Sequence, residues 1–387
     1  MANVIDNTNG INIGQLHNML YRFIKLKKPF MIKGAPGIGK SDSVRQATQK
    51  CALELYRTNN KISDEKAKKL PLDKYYIEGG WDEERFGMID IRISQLDPSD
   101  LRGIPFPEGN KTKWLIPSWL PTGGHGVLFF DEINLAPPSI QASCYQLILD
   151  RRLGDYRLPE GWTIIAAGNR AVDKANIFPM AAPLKNRFSH ATLLVPSEEE
   201  WREWAFENEI KSDVVAFMAF KPSMLFKFDP NSNDDAFPTP RSWANASYMT
   251  NDIKTDGKTG EAFNRAIDEE FLIVASCVGT GTALEYQGFV KLKKQVNVDD
   301  ILKHPKKVKK LTDVGVKYSL ISGLAEKYKH NSKLTNDILC VVDEMDPEFG
   351  VFLLRLMKGM KNKDFVQDVT SAKKWDDIYE RFNVYIF

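Results

Sequence analysis

The spacing of apolar and polar residues in the first half of the chain is typical of a parallel α/β fold. Residues 13–27 have apolar positions at helical spacing, and a short apolar run, residues 29–32, follows them. A glycine-rich turn then leads into a second helical pattern at residues 41–55. Strand, glycine-rich turn and helix in this order predict the start of a parallel α/β unit.

Two further apolar runs, residues 127–130 and 163–167, have the composition of buried central strands. Each run ends in polar residues, and open α/β sheets bind ligands at the carboxyl ends of their strands. Between the two runs the pattern predicts a helix at residues 138–150 and a hairpin at residues 153–162. After Pro196 helical patterns dominate, so we place a domain boundary there.

Composition excludes several classes of protein. The 387 residues include 43% hydrophobic and 27% charged residues, and the net charge of +2 argues neither for nor against nucleic acid. No apolar run is long enough to span a membrane, and the polar residues 1–10 do not resemble a signal peptide. The four cysteines match no zinc or redox spacing, which favours free thiols in a cytoplasmic protein.

The glycine-rich turn fits the phosphate-binding pattern G-x-x-x-x-G-K-[ST]. Its glycines let backbone N–H groups point at phosphate oxygens, the lysine reaches the β- and γ-phosphates, and the serine hydroxyl ligates magnesium. We therefore expect this segment to bind ATP with Mg²⁺. The residues concerned are Gly34, Ala35, Pro36, Gly37, Ile38, Gly39, Lys40 and Ser41.

Two acidic residues end the apolar run at residues 127–130. Asp131 is placed to hold magnesium, directly or through water, and Glu132 is the expected general base that activates the attacking water. The alternative is an acidic cap on the next helix. The phosphate loop about ninety residues earlier favours the catalytic interpretation.

Three further polar residues are candidates for the catalytic site, each with a structural alternative. Asn169 ends the next apolar run and either contacts the γ-phosphate or its water, or forms a simple turn with Gly168. Arg187 and Arg241 either stabilise charge on the transferred phosphate or make ordinary ion pairs. An arginine of this kind usually comes from a neighbouring molecule.

Together these motifs resemble the MoxR-like branch of the AAA+ ATPases over residues 13–247. Two motifs depart from the usual pattern, AAGNR in place of ATQNP and LKNRF without an Asp before the Arg, which is compatible with a divergent phage or bacterial member. The segments that carry the resemblance are GAPGIGKS (34–41), QLDPSDLRGIP (95–105), LFFDEINLAPPSIQ (128–141), AAGNR (166–170), LKNRF (184–188) and PTPRSW (238–243).

The resemblance implies an α/β fold class: a P-loop AAA+ core with a parallel sheet flanked by helices, then a helical lid and a helical C-terminal region. The corresponding ranges are a nucleotide-binding core at 1–196, a lid at 197–255 and an extension at 256–387. It also implies that Asn169 is sensor 1, Arg187 the arginine finger and Arg241 sensor 2. Members form rings, usually hexamers, remodel protein partners and often pair with a von Willebrand factor A domain protein.

This branch carries an insert in the second helix of its core, which falls here at residues 99–126. Its glycines and prolines predict a loop or hairpin rather than a plain helix. Trp114, Leu115 and Trp119 lie in the insert. These side chains either pack the insert onto the core, which we favour, or grip a partner from an exposed position.

Two other functions compete with remodelling of a protein partner. The lysine-rich stretch at residues 291–310 suggests a nucleic-acid motor, although we favour the alternative, a solvated face of a helix pair. A nucleotide-gated scaffold with little turnover is the other alternative. An intact Glu132 argues against the scaffold.

Overall fold

Six parallel strands form the central sheet, in the order β10-β1-β9-β6-β3-β2. The computed structural model describes residues 10–67, 69–173, 178–253, 260–360 and 365–386, so residues 1–9, on which the expectation about a signal peptide rests, lie outside the described residues. The strands are β1 Phe30–Lys33, β2 Tyr76–Glu78, β3 Phe86–Arg92, β4 Ile104–Glu108, β5 Lys111–Leu115, β6 His125–Asp131, β7 Arg152–Leu153, β8 Tyr156–Arg157, β9 Trp162–Gly168 and β10 Ser189–Thr192.

The helices fall into two groups because the chain divides into two compact units between Val195 and Pro196. The first unit has α1 Ile13–Lys25, α2 Lys40–Asn60, α3 Asp64–Ala67, α4 Pro98–Arg102, α5 Pro138–Asp150 and α6 Ala182–Lys185. The second has α7 Glu198–Glu207, α8 Ser212–Phe220, α9 Pro240–Met249, α10 Gly260–Val278, α11 Thr280–Lys291, α12 Val298–Lys303, α13 Val314–His330, α14 Thr335–Glu344, α15 Pro347–Gly359, α16 Phe365–Thr370 and α17 Trp375–Ile386.

Helices cover both faces of the sheet. Alternate residues of the central strands, among them Leu128, Phe130 and Ile164, pack with the apolar side of α5 in one buried cluster. Helix α2 contacts strands β3, β6 and β9 as well as α1. The predicted fold class, a P-loop α/β core followed by a helical region, is confirmed.

The common direction of the strands brings their carboxyl ends to one edge of the sheet. The register pairs Lys33 at the end of β1 with Gly168 at the end of β9, and Arg92 at the end of β3 with Asp131 at the end of β6. The segments that follow β1, β3, β6 and β9 therefore meet at this edge. These segments include the phosphate loop and both polar strand ends that the sequence singled out.

The strands predicted at residues 127–130 and 163–167, the helix at 138–150 and the hairpin at 153–162 are all confirmed. The sequence analysis missed β3, which is a central strand between β6 and β2. Its run FGMIDIR is interrupted by Gly87, Asp90 and Arg92, and the last two side chains are exposed. Because of these polar residues, the apolar pattern did not indicate a strand here, although its other side chains are buried.

The insert at residues 99–126 contains an antiparallel hairpin, β4–β5, so the predicted hairpin is confirmed. All ten residues of its two strands are exposed. Trp119 packs against the core of the first unit, whereas Trp114 and Leu115 are 37% and 51% exposed. The favoured packing role therefore holds for Trp119 and is wrong for the other two side chains.

One hydrophobic core runs through the second unit, from Trp201 in α7 to Phe382 in α17. It joins residues of the predicted lid (197–255) to residues of the predicted extension (256–387). Two ion pairs are buried among the described residues of this unit: Lys211 contacts Glu270 at 2.7 Å, and Lys293 contacts Asp213 at 2.8 Å. They link α8, α10 and the turn after α11.

The four cysteines, Cys51, Cys144, Cys277 and Cys340, are free thiols, as expected from their spacing. Burial raises the pKa of Cys144 to about 12, so this thiol is protonated and unreactive at neutral pH. None of the described helices is both long and apolar enough to cross a membrane.

We predict that Asp213→Asn lowers the free energy of unfolding of the second unit by about 3–5 kcal/mol, because the change removes a carboxylate counter-charge that contacts the buried Lys293 ammonium at 2.8 Å. Amide hydrogen exchange of α8 and α13, measured at increasing urea concentrations, reports the stability of this unit separately from that of the first. The double variant Asp213→Asn with Lys293→Met is the control and regains part of the loss. Equal stability of Asp213→Asn and the native chain would contradict the prediction.

The same pair makes the second unit sensitive to acid. Burial opposes ionisation of Asp213, but the ammonium groups of Lys293 and Lys211 outweigh it and hold the pKa of Asp213 below its usual value. A carboxyl group with a lowered folded-state pKa stabilises the fold above its unfolded pKa, and that contribution is lost as the pH falls through the folded value.

Candidate functional site

The phosphate loop lies between β1 and α2, as the sequence predicts, and its backbone depends on glycine. Gly37 and Gly39 have φ angles of 71° and 93°, which residues with a side chain rarely adopt. A Cβ atom at Gly34 would lie 2.8 Å from Cδ1 of Ile38 and 3.2 Å from the carbonyl oxygen of Leu193. The loop therefore has the tight curve that directs N–H groups toward a phosphate.

Lys40 is the first residue of α2, and only 9% of it is exposed. Its ammonium group donates hydrogen bonds to the carbonyl oxygens of Gly34 and Ala35 at 2.9 and 2.8 Å. It also donates to Oδ1 of Asn169 at 3.3 Å. A buried cation is thus held within the loop, next to the side chain that the sequence proposed as a phosphate sensor.

Ser41 and Asp131 meet across the edge of the sheet. The Ser41 hydroxyl donates a hydrogen bond of 2.9 Å to Oδ2 of Asp131. A hydroxyl and a carboxylate are the hard oxygen donors that Mg²⁺ prefers, and its remaining positions are usually filled by phosphate and water. The described residues contain no group of three or more His, Cys, Asp or Glu side chains around one point that would hold a metal ion alone. The pair fits a magnesium ion that is held together with a nucleotide.

The carboxylate of Asp90 on β3 adds negative charge behind this pair. Partial desolvation, together with the nearby Asp131 carboxylate, raises the pKa of Asp90 to about 6. Because like charges oppose ionisation at this edge, a cation is electrostatically favoured there. The sequence analysis did not identify Asp90.

Glu132 has a φ angle of 56°, in the left-handed region that residues other than glycine seldom occupy. Its backbone N–H donates to Oδ1 of Asp131 at 2.9 Å. The hydroxyl of Ser94, in the turn directly after β3, donates to Oε2 of Glu132 at 3.1 Å. The expected general base is therefore oriented from two sides, by a strained backbone and by a serine that the sequence analysis missed.

Asn134 is a second residue that sequence reasoning missed. It is 4% exposed, and its side chain forms two hydrogen bonds with the backbone of Asn169. Nδ2 of Asn134 donates to the carbonyl oxygen of Asn169 at 2.8 Å, and the backbone N–H of Asn169 donates to Oδ1 of Asn134 at 3.2 Å. A Cβ atom at Gly168 would lie 2.5 Å from that same Oδ1. Asn134 thus fixes the end of β9 and with it the position of Asn169.

Arg187 lies outside this group of residues. It follows α6, and the next strand, β10, starts two residues later at Ser189, which pairs with Phe30 at the start of β1. The phosphate loop follows Lys33, at the other end of β1. The length of β10 therefore separates Arg187 from the loop by about 10 Å, at about 3.3 Å per strand residue. The side chain of Arg187 is exposed.

Arg241 belongs to the second unit, near the start of α9. Thr239 caps this helix, and the side chain of Arg241 is exposed. The sensor 2 role of Arg241 stays a prediction.

Several lysines of the basic stretch, residues 291–310, are engaged by carboxylates. Lys293 pairs with the buried Asp213, Lys307 contacts Asp300 at 2.6 Å, and Lys309 contacts Glu344. A nucleic-acid surface needs lysines whose charge is available to phosphates. The pairs reduce the charge that this stretch offers, which does not favour the motor interpretation.

No family model matches the sequence, and no curated protein matches it. Among solved structures, the chain resembles NtrX from Brucella abortus, with 15% identity over 64% of this chain and 52% of the NtrX chain and a TM-score of 0.36. It therefore spans about half the length of that chain. A complex of NtrX with ATP matches at 13% identity over 90% of this chain and 67% of the other, with a TM-score of 0.32.

The RuvB Holliday junction branch migration motor from Thermotoga maritima matches at 12% identity, over 81% of this chain and 80% of RuvB, with a TM-score of 0.27. Likenesses at this level carry no information about substrate or partner. Any functional assignment therefore rests on the site residues themselves.

We predict that Ser94→Ala lowers kcat for ATP by about tenfold, because a hydrogen bond to a charged group contributes about 1.5 kcal/mol. KM should stay nearly constant, since Ser94 contacts the glutamate and not the phosphate loop. Steady-state turnover measures both constants, with the exposed Ser99→Ala as the matched control. An unchanged kcat would show that Glu132 does not need this contact.

Asp131→Asn should raise the Mg²⁺ concentration that gives half-maximal turnover by about tenfold or more, because the charged ligand is lost while the side-chain shape is kept. A magnesium titration at constant ATP measures this shift. The exposed Asp155→Asn is the control for a change of net charge. If the two variants respond alike, Asp131 does not hold the metal.

Proposed function

We propose that this chain hydrolyses ATP with Mg²⁺ as one subunit of a ring, in the manner of the MoxR-like AAA+ ATPases, and thereby remodels a protein partner. One observation carries the proposal. Lys40, Ser41, Asp131, Glu132 and Asn169 lie at the carboxyl edge of the sheet, whereas Arg187 lies at the opposite edge.

Each residue at the carboxyl edge has a part in the proposed reaction. Lys40 and the loop N–H groups bind the phosphates, and Asn169 contacts the γ-phosphate or the attacking water. Glu132 orients the water and accepts its proton. Ser41 and Asp131 would hold a magnesium ion, which would neutralise negative charge on the phosphates.

The position of Arg187 supports a ring. Its position along β10 is about 10 Å of strand away from the phosphate loop, which is longer than an extended arginine side chain. Arg187 therefore serves a neighbouring subunit's site rather than its own, as trans arginines do in related mechanisms. A closed ring supplies every site with such a neighbour, and a hexamer is the size that the family resemblance implies.

The protein partner is proposed from the family resemblance, which points to a client that pairs with or contains a von Willebrand factor A domain. In this proposal residues 197–255 act as the lid, which carries Arg241 as sensor 2, and residues 256–387 form the extension. The scaffold alternative requires little turnover. Hydrolysis that is abolished by Glu132→Gln would exclude it.

A mixing experiment tests the shared site. Arg187→Ala and Glu132→Gln should each lose activity, and a finger arginine contributes about 10³ to 10⁵ in rate. When the two variants are mixed, some interfaces join an intact Arg187 to an intact Glu132, so part of the ATP turnover should return. Turnover is measured at several mixing ratios, with a maximum expected near equal amounts.

Lys185→Ala, which changes a neighbouring exposed cation, is the matched control and should keep native turnover. Mass measurement with nucleotide reports the ring independently. Retained activity of Arg187→Ala, or a mixture no more active than its components, would refute the shared site.

A further inference from the structure

The two edges of the β4–β5 hairpin differ in the backbone groups that they present. Glu108 and Lys111 pair across a two-residue turn, Gly109-Asn110, in which Gly109 has a φ angle of 62°. In such a turn the flanking pair exchanges hydrogen bonds, and hydrogen-bonded and non-bonded pairs then alternate along the ladder. The bonded pairs are therefore 108/111, 106/113 and 104/115.

Both prolines of β4 occupy non-bonded positions. Pro105 pairs with Trp114, and Pro107 pairs with Thr112. Backbone groups at such positions point away from the partner strand, and proline has no N–H group. The outer edge of β4 thus lacks the donors that another strand needs, which is a known way of blocking an edge.

The outer edge of β5 is open by the same geometry. Thr112 and Trp114 direct both their N–H and their C=O groups outward. Every residue of β5 is exposed, and among the described residues β4 is the one strand that pairs with it. A hairpin with one blocked edge and one open edge accepts an added strand on one side only.

The side chains of β5 give this edge a chemical preference. Lys111, Lys113 and Leu115 lie on one face of the hairpin, and Thr112 and the exposed Trp114 lie on the other. Lys113 contacts Glu108 at 3.2 Å, and no described carboxylate pairs with Lys111. A strand that alternates acidic and apolar residues complements both faces, with its carboxylates opposite the lysines and its apolar side chains beside Trp114.

A second copy of this hairpin fits the edge poorly. Antiparallel pairing of two β5 edges through Thr112 and Trp114 places Lys113 directly opposite the same lysine of the other copy. Like charges in directly opposed positions destabilise a strand pair. The charge pattern therefore favours a partner of opposite charge over self-association.

We propose that the open edge of β5 binds an extended, acidic segment of a protein partner as a third strand of the hairpin. This deepens the proposed function, since it names how the partner is held and where. The backbone groups of Thr112 and Trp114 supply the affinity, and Lys111 and Trp114 select the side chains.

The test uses the full chain and a fluorescein-labelled peptide of about ten residues that alternates valine and glutamate, a length that matches an ordinary strand. Fluorescence anisotropy measures binding. Thr112→Pro removes the outward N–H and leaves the ladder to β4 intact, whereas Thr112→Val keeps that N–H and the shape of the side chain. We expect Thr112→Pro to weaken binding about tenfold or more and Thr112→Val to change it by about twofold at most.

Two further probes separate backbone pairing from simple charge attraction. A peptide methylated on alternate backbone nitrogens should not bind, and a peptide of alternating valine and lysine should bind more weakly than the acidic one. The proposal is overturned if Thr112→Pro binds like the native chain, or if no unmethylated peptide binds the native chain. Self-association that Thr112→Pro abolishes would assign the edge to a second copy and also overturn it.

Failure of this proposal is distinguishable from failure of the proposed ATPase. Thr112 and Trp114 have no part in the nucleotide site, so Thr112→Pro should hydrolyse ATP at the native rate without a partner. Lost peptide binding with native turnover supports the edge alone. Peptide binding by a chain that hydrolyses no ATP would support the binding edge and contradict the proposed ATPase.

Discussion

The common direction of the six sheet strands is the constraint on which the rest of the site depends. Because β1, β6 and β9 end at one edge, an amide 129 residues beyond Lys40 and a carboxylate 90 residues beyond Ser41 come within hydrogen-bonding reach of these two residues. The same constraint keeps Arg187, which precedes its strand, at the other edge. Strand direction alone thus separates Arg187 from the side chains around the phosphate loop.

At that edge, local backbone and side-chain contacts orient the individual side chains of the site. Glu132 occupies a left-handed conformation that costs about 1–3 kcal/mol for a residue with a side chain. Its neighbours compensate: Asp131 accepts its N–H, and Ser94 holds its carboxylate. Asn134, two residues further on, fixes the backbone of Asn169. The segment that follows β6 therefore positions both Glu132 and Asn169.

The sequence predicted those parts of the site whose residues are consecutive in the chain. The phosphate loop and the Asp131–Glu132 pair follow apolar runs whose meaning is local. Ser94 and Asn134 were missed because their partners lie 38 and 35 residues away in the chain, and a lone serine or asparagine near a strand end has many structural uses. Strand β3, which positions Ser94, was missed because Asp90 and Arg92 break its apolar run at the edge where the site lies.

Composition alone also misjudges charge where the fold determines it. Lys293 belongs to a run of lysines that suggests a surface for phosphates, yet its side chain is 9% exposed and pairs with Asp213, which lies eighty residues earlier in the chain. The prolines of the β4–β5 hairpin are a second example in which composition alone does not give the effect of a residue. They did not distinguish a loop from a hairpin, but at alternate positions of β4 they leave the inner ladder intact and remove donors only from the outer edge. The effect of a lysine or a proline on function therefore follows from the direction in which its backbone and side chain point, which only the strand register and the packing determine.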